Sequence, residues 1–168
     1  VDYEKVLDIG DPIQKLDSII YLMDNNLTLS NLSKVPDLIE KAKFLLNQSD
    51  NKEQETALLY AESRYYFFIG NFKESEELSK KCVAKTNDLI YENACTSLLS
   101  WIYINNKDYD KAKKFIKFRT YEGQSALAYI AFMEKKLQKA ERILKRLYKK
   151  QFKIEGFKKP DPYLSSMV

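Results

Sequence analysis

The sequence predicts an all-α fold, an α-solenoid of antiparallel helix hairpins stacked in about four repeats with a right-handed course. Three observations carry that expectation. Glycine and proline number only 4 each in 168 residues, so loops are few and short. Apolar residues recur at helical spacing between the breaks. The breaks themselves come back with similar residues around them, as a repeated helix–turn–helix unit requires.

Taken in order, Asp11-Pro12 reads as an N-cap followed by an N1 proline, which opens a helix. Ile13, Leu16, Ile19, Ile20, Met23 and Leu27 form its apolar face, and Asn25-Asn26 marks its end. A polar link over residues 28–33 leads to a second helix from Pro36 to Leu46, with Leu38, Ile39, Ala42, Leu45 and Leu46 on one side. Residues 47–52 are turn-forming. A long helix over 53–69 stops at Gly70-Asn71, a glycine C-terminal signal. The next runs over 72–85. Asn87-Asp88 opens a helix over 89–104 that Asn105-Asn106 closes. Helices over 109–117, 124–134 and 137–151 follow, with Gly123 near a junction. Links this short make neighbouring helices antiparallel.

Three segments align at the start of every second helix. They are Gly70-Asn71-Phe72-Lys73-Glu74-Ser75, Lys107-Asp108-Tyr109-Asp110-Lys111-Ala112 and Lys135-Lys136-Leu137-Gln138-Lys139-Ala140. Each has a turn, a large apolar residue, and a small residue three positions later. The large residues are 37 and 28 positions apart. Ser63 and Tyr66 precede the first segment, Leu99-Ser100 and Tyr103 the second, Leu127-Ala128 and Ala131 the third. Small residues let two helices approach closely, and large ones fill the space between hairpins. On these residues the chain resembles the tetratricopeptide repeat (TPR) superfamily, whose unit is about 34 residues long. The resemblance places a degenerate repeat at 12–47 and further repeats at 53–86, 89–118 and 122–151. Residues 152–168 are a tail or the start of another helix, because Lys159-Pro160-Asp161-Pro162-Tyr163-Leu164 repeats the Asp-Pro signal of Asp11-Pro12. The whole of 1–168 reads as one repeat domain, a fragment of a longer chain.

The resemblance also implies a site. First helices of such repeats line a concave groove, and that register selects Tyr60, Arg64, Phe67 and Phe68, then Ser97, Trp101, Ile104 and Asn105, then Ser125, Tyr129, Phe132 and Met133. An aromatic strip with one arginine suits burial of an apolar helix or extended peptide. The competing reading is that these side chains pack on their own neighbours. Chaperone-binding members of the superfamily carry a Lys, Asn and Arg clamp for carboxylates. The matching positions here are Arg64, Trp101 and Tyr129, so capture of an acidic C-terminal peptide is disfavoured. At a finer level, Leu99-Ser100-Trp101-Ile102-Tyr103-Ile104 with Lys111-Ala112-Lys113-Lys114-Phe115, preceded by Ala57-Leu58-Leu59-Tyr60-Ala61 and Ile69-Gly70, resembles the long repeat subunit of intraflagellar transport complex A. Repeat subunits of the anaphase-promoting complex are similar to a lesser degree.

Much chemistry is missing. With no histidine, His–metal sites and Ser-His-Asp or Cys-His catalysis are excluded. Cys82 and Cys95 match no zinc or redox spacing, and read as packing thiols in a reducing, cytoplasmic setting. No glycine pattern forms a phosphate loop, and no apolar run reaches membrane-spanning length. No signal-peptide core is visible at the start. Neither an enzyme nor a cofactor or metal site is expected.

Charge is unevenly placed. Residues 1–106 carry a net −6 and residues 107–168 a net +10. The last helix holds Lys135, Lys136, Lys139, Arg142, Lys145, Arg146, Lys149 and Lys150 around Leu137, Ile143, Leu144 and Leu147. Three readings stay open: a solvated face; a surface for an acidic protein, including head-to-tail docking of the chain on itself; or a surface for nucleic acid or an anionic membrane. No phosphate-cradling motif accompanies the lysines, which disfavours nucleic acid. The expected function is a non-catalytic protein-interaction scaffold, a subunit or domain of a larger assembly, with a protein or peptide partner and self-association through repeat faces as a further option.

Overall fold

Capping chemistry sets most helix boundaries. The computed structural model describes residues 10–48, 52–118 and 120–154, with side chains except at 52, 53 and 150–154. Among the described residues lie eight α-helices and no strand: α1 (Pro12–Thr28), α2 (Val35–Leu46) led by a 3-10 turn (Leu32–Lys34), α3 (Lys52–Phe68), α4 (Phe72–Lys85), α5 (Leu89–Asn105), α6 (Tyr109–Phe115), α7 (Tyr121–Met133) and α8 (Leu137–Ile154). The all-α expectation holds. The expected further helix after Pro160 lies outside the described residues.

Asp11 accepts from the backbone N–H groups of Ile13 and Gln14, both at 2.9 Å, and Gln14 returns a bond to the Asp11 N–H, completing a capping box. Asn71, Asp88, Asp108 and Thr120 cap α4, α5, α6 and α7 in the same sense. Several boundaries differ from the sequence reading: α6 ends at Phe115 rather than 117, and α8 runs to Ile154 rather than 151. The first helix runs past Asn25-Asn26 to Thr28, because Asn26 and Thr28 donate back to the carbonyls of Leu22 and Asp24 instead of stopping the helix. And α7 starts at Tyr121 rather than Gln124, because Thr120 supplies the cap.

Four hairpin turns share one geometry. Ser30, Gly70, Lys107 and Lys135 have φ of 58°, 79°, 60° and 60°. After each, the next N–H reaches back five residues: Asn31 to Asn26, Asn71 to Tyr66, Asp108 to Tyr103 and Lys136 to Ala131, at 2.8–2.9 Å. This is the Schellman closure of a helix C-terminus, which needs the left-handed conformation that glycine adopts freely. Only one of the four positions is glycine. Five residues past each turn residue stands a buried side chain, Val35, Ser75, Ala112 or Ala140.

The chain divides into two compact units, residues 1–102 and 103–168. In the first, α1 packs on α2 and α3, and α3 on α2 and α4. Leu16, Ile19, Met23, Leu27, Val35, Ile39, Ala42, Leu58 and Ala61 form one apolar cluster. Complete burial of Leu16, Met23 and Leu27 contributes about 1.5–3 kcal/mol each. Polar ties join the elements: Gln54 of α3 donates to Asp17 of α1 at 2.9 Å, and Lys43 of α2 to the buried Glu62 of α3 at 2.6 Å. Burial is the largest influence on Lys43 and lowers its pKa, but the hydrogen bond and charge of Glu62, helped by Glu40, leave it raised overall. The α3–α4 seam is polar and satisfied. The hydroxyls of Ser63 and Ser79 meet at 2.9 Å, and Ser75 donates to the Ser63 carbonyl at 2.8 Å, all three being buried.

Cys82 of α4 and Cys95 of α5 correct the sequence reading. They are not packing thiols. Their sulfurs are 1.99 Å apart, a disulfide, which does not fit a reducing compartment. Their separation of 13 in sequence matches no linear motif, but the turn between α4 and α5 brings the Cα atoms to 6.3 Å, within disulfide reach.

In the second unit, α7 packs on α8 through alanines, with Ala128, Ala131 and Ala140 all buried. Tyr103 stacks on Phe115 at 5.4 Å. Gly123, near the junction as expected, lies in the first turn of α7. A Cβ there would strike the Lys117 carbonyl oxygen and lie 3.0 Å from the Thr120 hydroxyl. Glu134, beyond the end of α7, accepts from Lys113 of α6 at 2.8 Å and from Lys136 at 2.6 Å. Those bonds, Lys113 first, hold its carboxyl down at about 2.

Candidate partner-binding face

Four-residue spacing puts Tyr60, Arg64 and Phe68 in line on one face of α3. The Arg64 guanidinium sits 5.6 Å from the Tyr60 ring centre and 5.9 Å from that of Phe68, a cation between two rings of its own helix. It also pairs with the Asp24 carboxylate of α1. Tyr60 meets Tyr91 of α5 edge-on at 6.3 Å. Burial, and then Tyr91, push the Tyr60 hydroxyl pKa up, so the phenol stays neutral. Phe67 contacts Phe68 at 5.9 Å and Phe72 of α4 at 5.6 Å. The result is a run of rings around one held cation, with Phe68 exposed at its end. Such a surface offers apolar area and one oriented donor group.

The predicted strip falls in both units. Tyr60, Arg64, Phe67, Phe68 and Trp101 belong to the first. All of them except the exposed Phe68 are half-buried. Ile104, Asn105, Tyr129, Phe132 and Met133 belong to the second. Tyr129, Phe132 and Met133 are exposed on α7. Asn105 is exposed, but Ile104 is buried at the end of α5 and presents no surface, so it is a packing residue. Of the three positions matched to the carboxylate clamp, Arg64 is already engaged by Asp24.

The predicted basic surface lies on α8 and the turn before it. Lys135, Lys139, Arg142, Lys145, Arg146 and Lys149 are all exposed, and the Lys150 side chain lies outside the described residues. Lys145 pairs with Glu141 one turn earlier at 2.5 Å. Sequence reasoning missed Asp24 and Tyr91, which lie 40 and 31 residues from the side chains they touch. It also missed the Lys113–Glu134–Lys136 clamp. Only the adjacency of Glu134 to the turn signalled it.

Comparison with protein-family models, with curated proteins and with solved structures gives no match. Among the described residues, no helix is long and apolar enough to cross a membrane.

Proposed function

We propose that the chain is a non-catalytic protein-interaction scaffold of the tetratricopeptide type, acting as a subunit or domain of a larger assembly. Intraflagellar transport complex A and the anaphase-promoting complex are the assemblies its segments resemble. The observation that carries this reading is the α3 face. Tyr60, Arg64 and Phe68 form a preorganised aromatic–cation row, of the composition that dominates protein interfaces. Four turns of identical geometry support the repeat reading. The cytoplasmic placement belongs to the same reading, and the Cys82–Cys95 disulfide weighs against it. The alternative, a basic module for nucleic acid or an anionic membrane, draws support from the exposed lysines and arginines of α8.

The test is affinity capture from native lysate with three baits: the wild type, Phe68→Ala with Trp101→Ala, and Lys145→Glu with Lys149→Glu. The groove variant must first match the wild type in helical spectrum and melting temperature. Loss of the same polypeptides from the groove variant alone is expected. Loss from the charge variant alone, with binding that falls steeply as salt rises, overturns the scaffold reading in favour of the basic module.

A further inference from the structure

The α3–α4 and α7–α8 hairpins can be registered through their turns, Gly70 on Lys135. Phe72, Ser79, Cys82 and Val83 of α4 then correspond to Leu137, Leu144, Leu147 and Tyr148 of α8. On α4 all four are buried or half-buried, and α5 is bonded to the helix at Cys82. Of the four on α8 only Leu147 is buried. Leu137 is 60% exposed, Leu144 54% and Tyr148 42%. Spacings of seven and four residues put these three on one stripe. Glu141 lies on the same stripe, held by Lys145. Lys145 and Lys149 border it, and Arg142, Lys139 and Arg146 stand behind them, all exposed.

A complementary surface exists on the chain itself. The first unit carries a net −6 and the second a net +10. On α2, Phe44 is 65% exposed and shares a helix face with Glu40 and Asp37, both exposed, with Lys41 at its margin. An apolar residue with two acids before it on the same face matches an apolar stripe bordered by lysines.

We propose that the exposed stripe of α8 docks a second copy of the chain through the Asp37–Glu40–Phe44 face of that copy's α2. Phe44 covers Leu144, and the two carboxylates face Lys145 and Lys149. The two patches differ, so the contact is heterologous, and copies join head to tail rather than about a two-fold axis.

Sedimentation velocity from micromolar to millimolar protein, at low and high salt, tests this. The expected result is a mass that rises with concentration and falls back as salt screens the charges. Association is lost in Leu144→Glu, a surface change whose helical spectrum should match the wild type. It is lost in Lys145→Glu with Lys149→Glu, lost in Asp37→Lys with Glu40→Lys, and restored when those two double variants are mixed. A wild type that stays monomeric at low salt overturns the proposal. So does association that Leu144→Glu leaves intact, or a mixture of reversed variants that stays monomeric.

Discussion

The α3–α4 hairpin and the α7–α8 hairpin turn the chain the same way with different materials. Their turn residues have φ of 79° and 60°, and both close with the same backbone bond reaching five residues back. The first uses glycine there, the second lysine. The first seam is three buried serines bonded to one another and to a carbonyl; the second is three buried alanines. The first is tied to the next helix by a disulfide; the second is secured near its turn by one glutamate between two lysines. Hairpin geometry is therefore set by side-chain size and backbone closure, and the chemistry filling it is interchangeable. What is not interchangeable is the covering of the outer face, which separates a core hairpin from one with a surface to offer.

The disulfide gives the largest way to break the comparison. Cys82→Ala is expected to cost the first unit about 3 kcal/mol, the figure for opening a loop of this order. The second unit should be unaffected. Thermal unfolding with and without reductant checks this: wild type plus reductant should melt with the variant, and the variant should not respond to reductant.

Next come the turns. A lysine in the left-handed region is strained by about 1 kcal/mol relative to glycine. Lys135→Gly should stabilise the α7–α8 hairpin by up to about 1 kcal/mol, and Gly70→Lys should destabilise α3–α4 by about 1–2 kcal/mol. Urea unfolding of both variants checks the opposite signs. Equal signs would mean the two turns are not equivalent.

The smallest effect is the glutamate clamp. The folded Glu134 carboxyl titrates at about 2, below its unfolded value of 4.5. Its contribution is therefore complete above pH 4.5 and is lost as pH falls from about 5 toward 2. Because the pair is near the surface, the loss should stay below about 1 kcal/mol. Hydrogen exchange of the α7 end amides at pH 5 and pH 3 should show it, and Glu134→Gln should remove the difference.

The helices were legible because their signals are local. Asp11-Pro12, Gly70-Asn71 and Asn87-Asp88 each act within one turn of the chain. The aligned segments and the small residues before them also pointed to Ser63, Ser75, Ala112, Ala128 and Ala140, all of them buried. Lys107 and Lys135 lay in the aligned segments, but nothing in a lysine announces a left-handed backbone. The α3 row could be anticipated, since Tyr60, Arg64 and Phe68 are i, i+4, i+8. The side chains that hold it could not, because Asp24 and Tyr91 come from other helices. Ile104 satisfied the same register yet is buried, since a repeat pattern fixes the face of a helix but not how far the next element overlaps it. The cysteines failed for a related reason: pairing is a property of facing helices, and linear spacing carries little of it.

At Gly123 the requirement is space rather than conformation. The carbonyl of Lys117 occupies the volume a side chain would need.

The covalent bridge has a mechanical side. Load pulling the chain from its two ends passes through the Cys82–Cys95 bond and bypasses the segment between them. A separation of 13 residues corresponds to roughly 40 Å of extended backbone that never enters the stretched length. The end of α4 and the beginning of α5 would stay clipped together after the surrounding helices had been drawn out, leaving the α4–α5 corner as a fixed point in a tether.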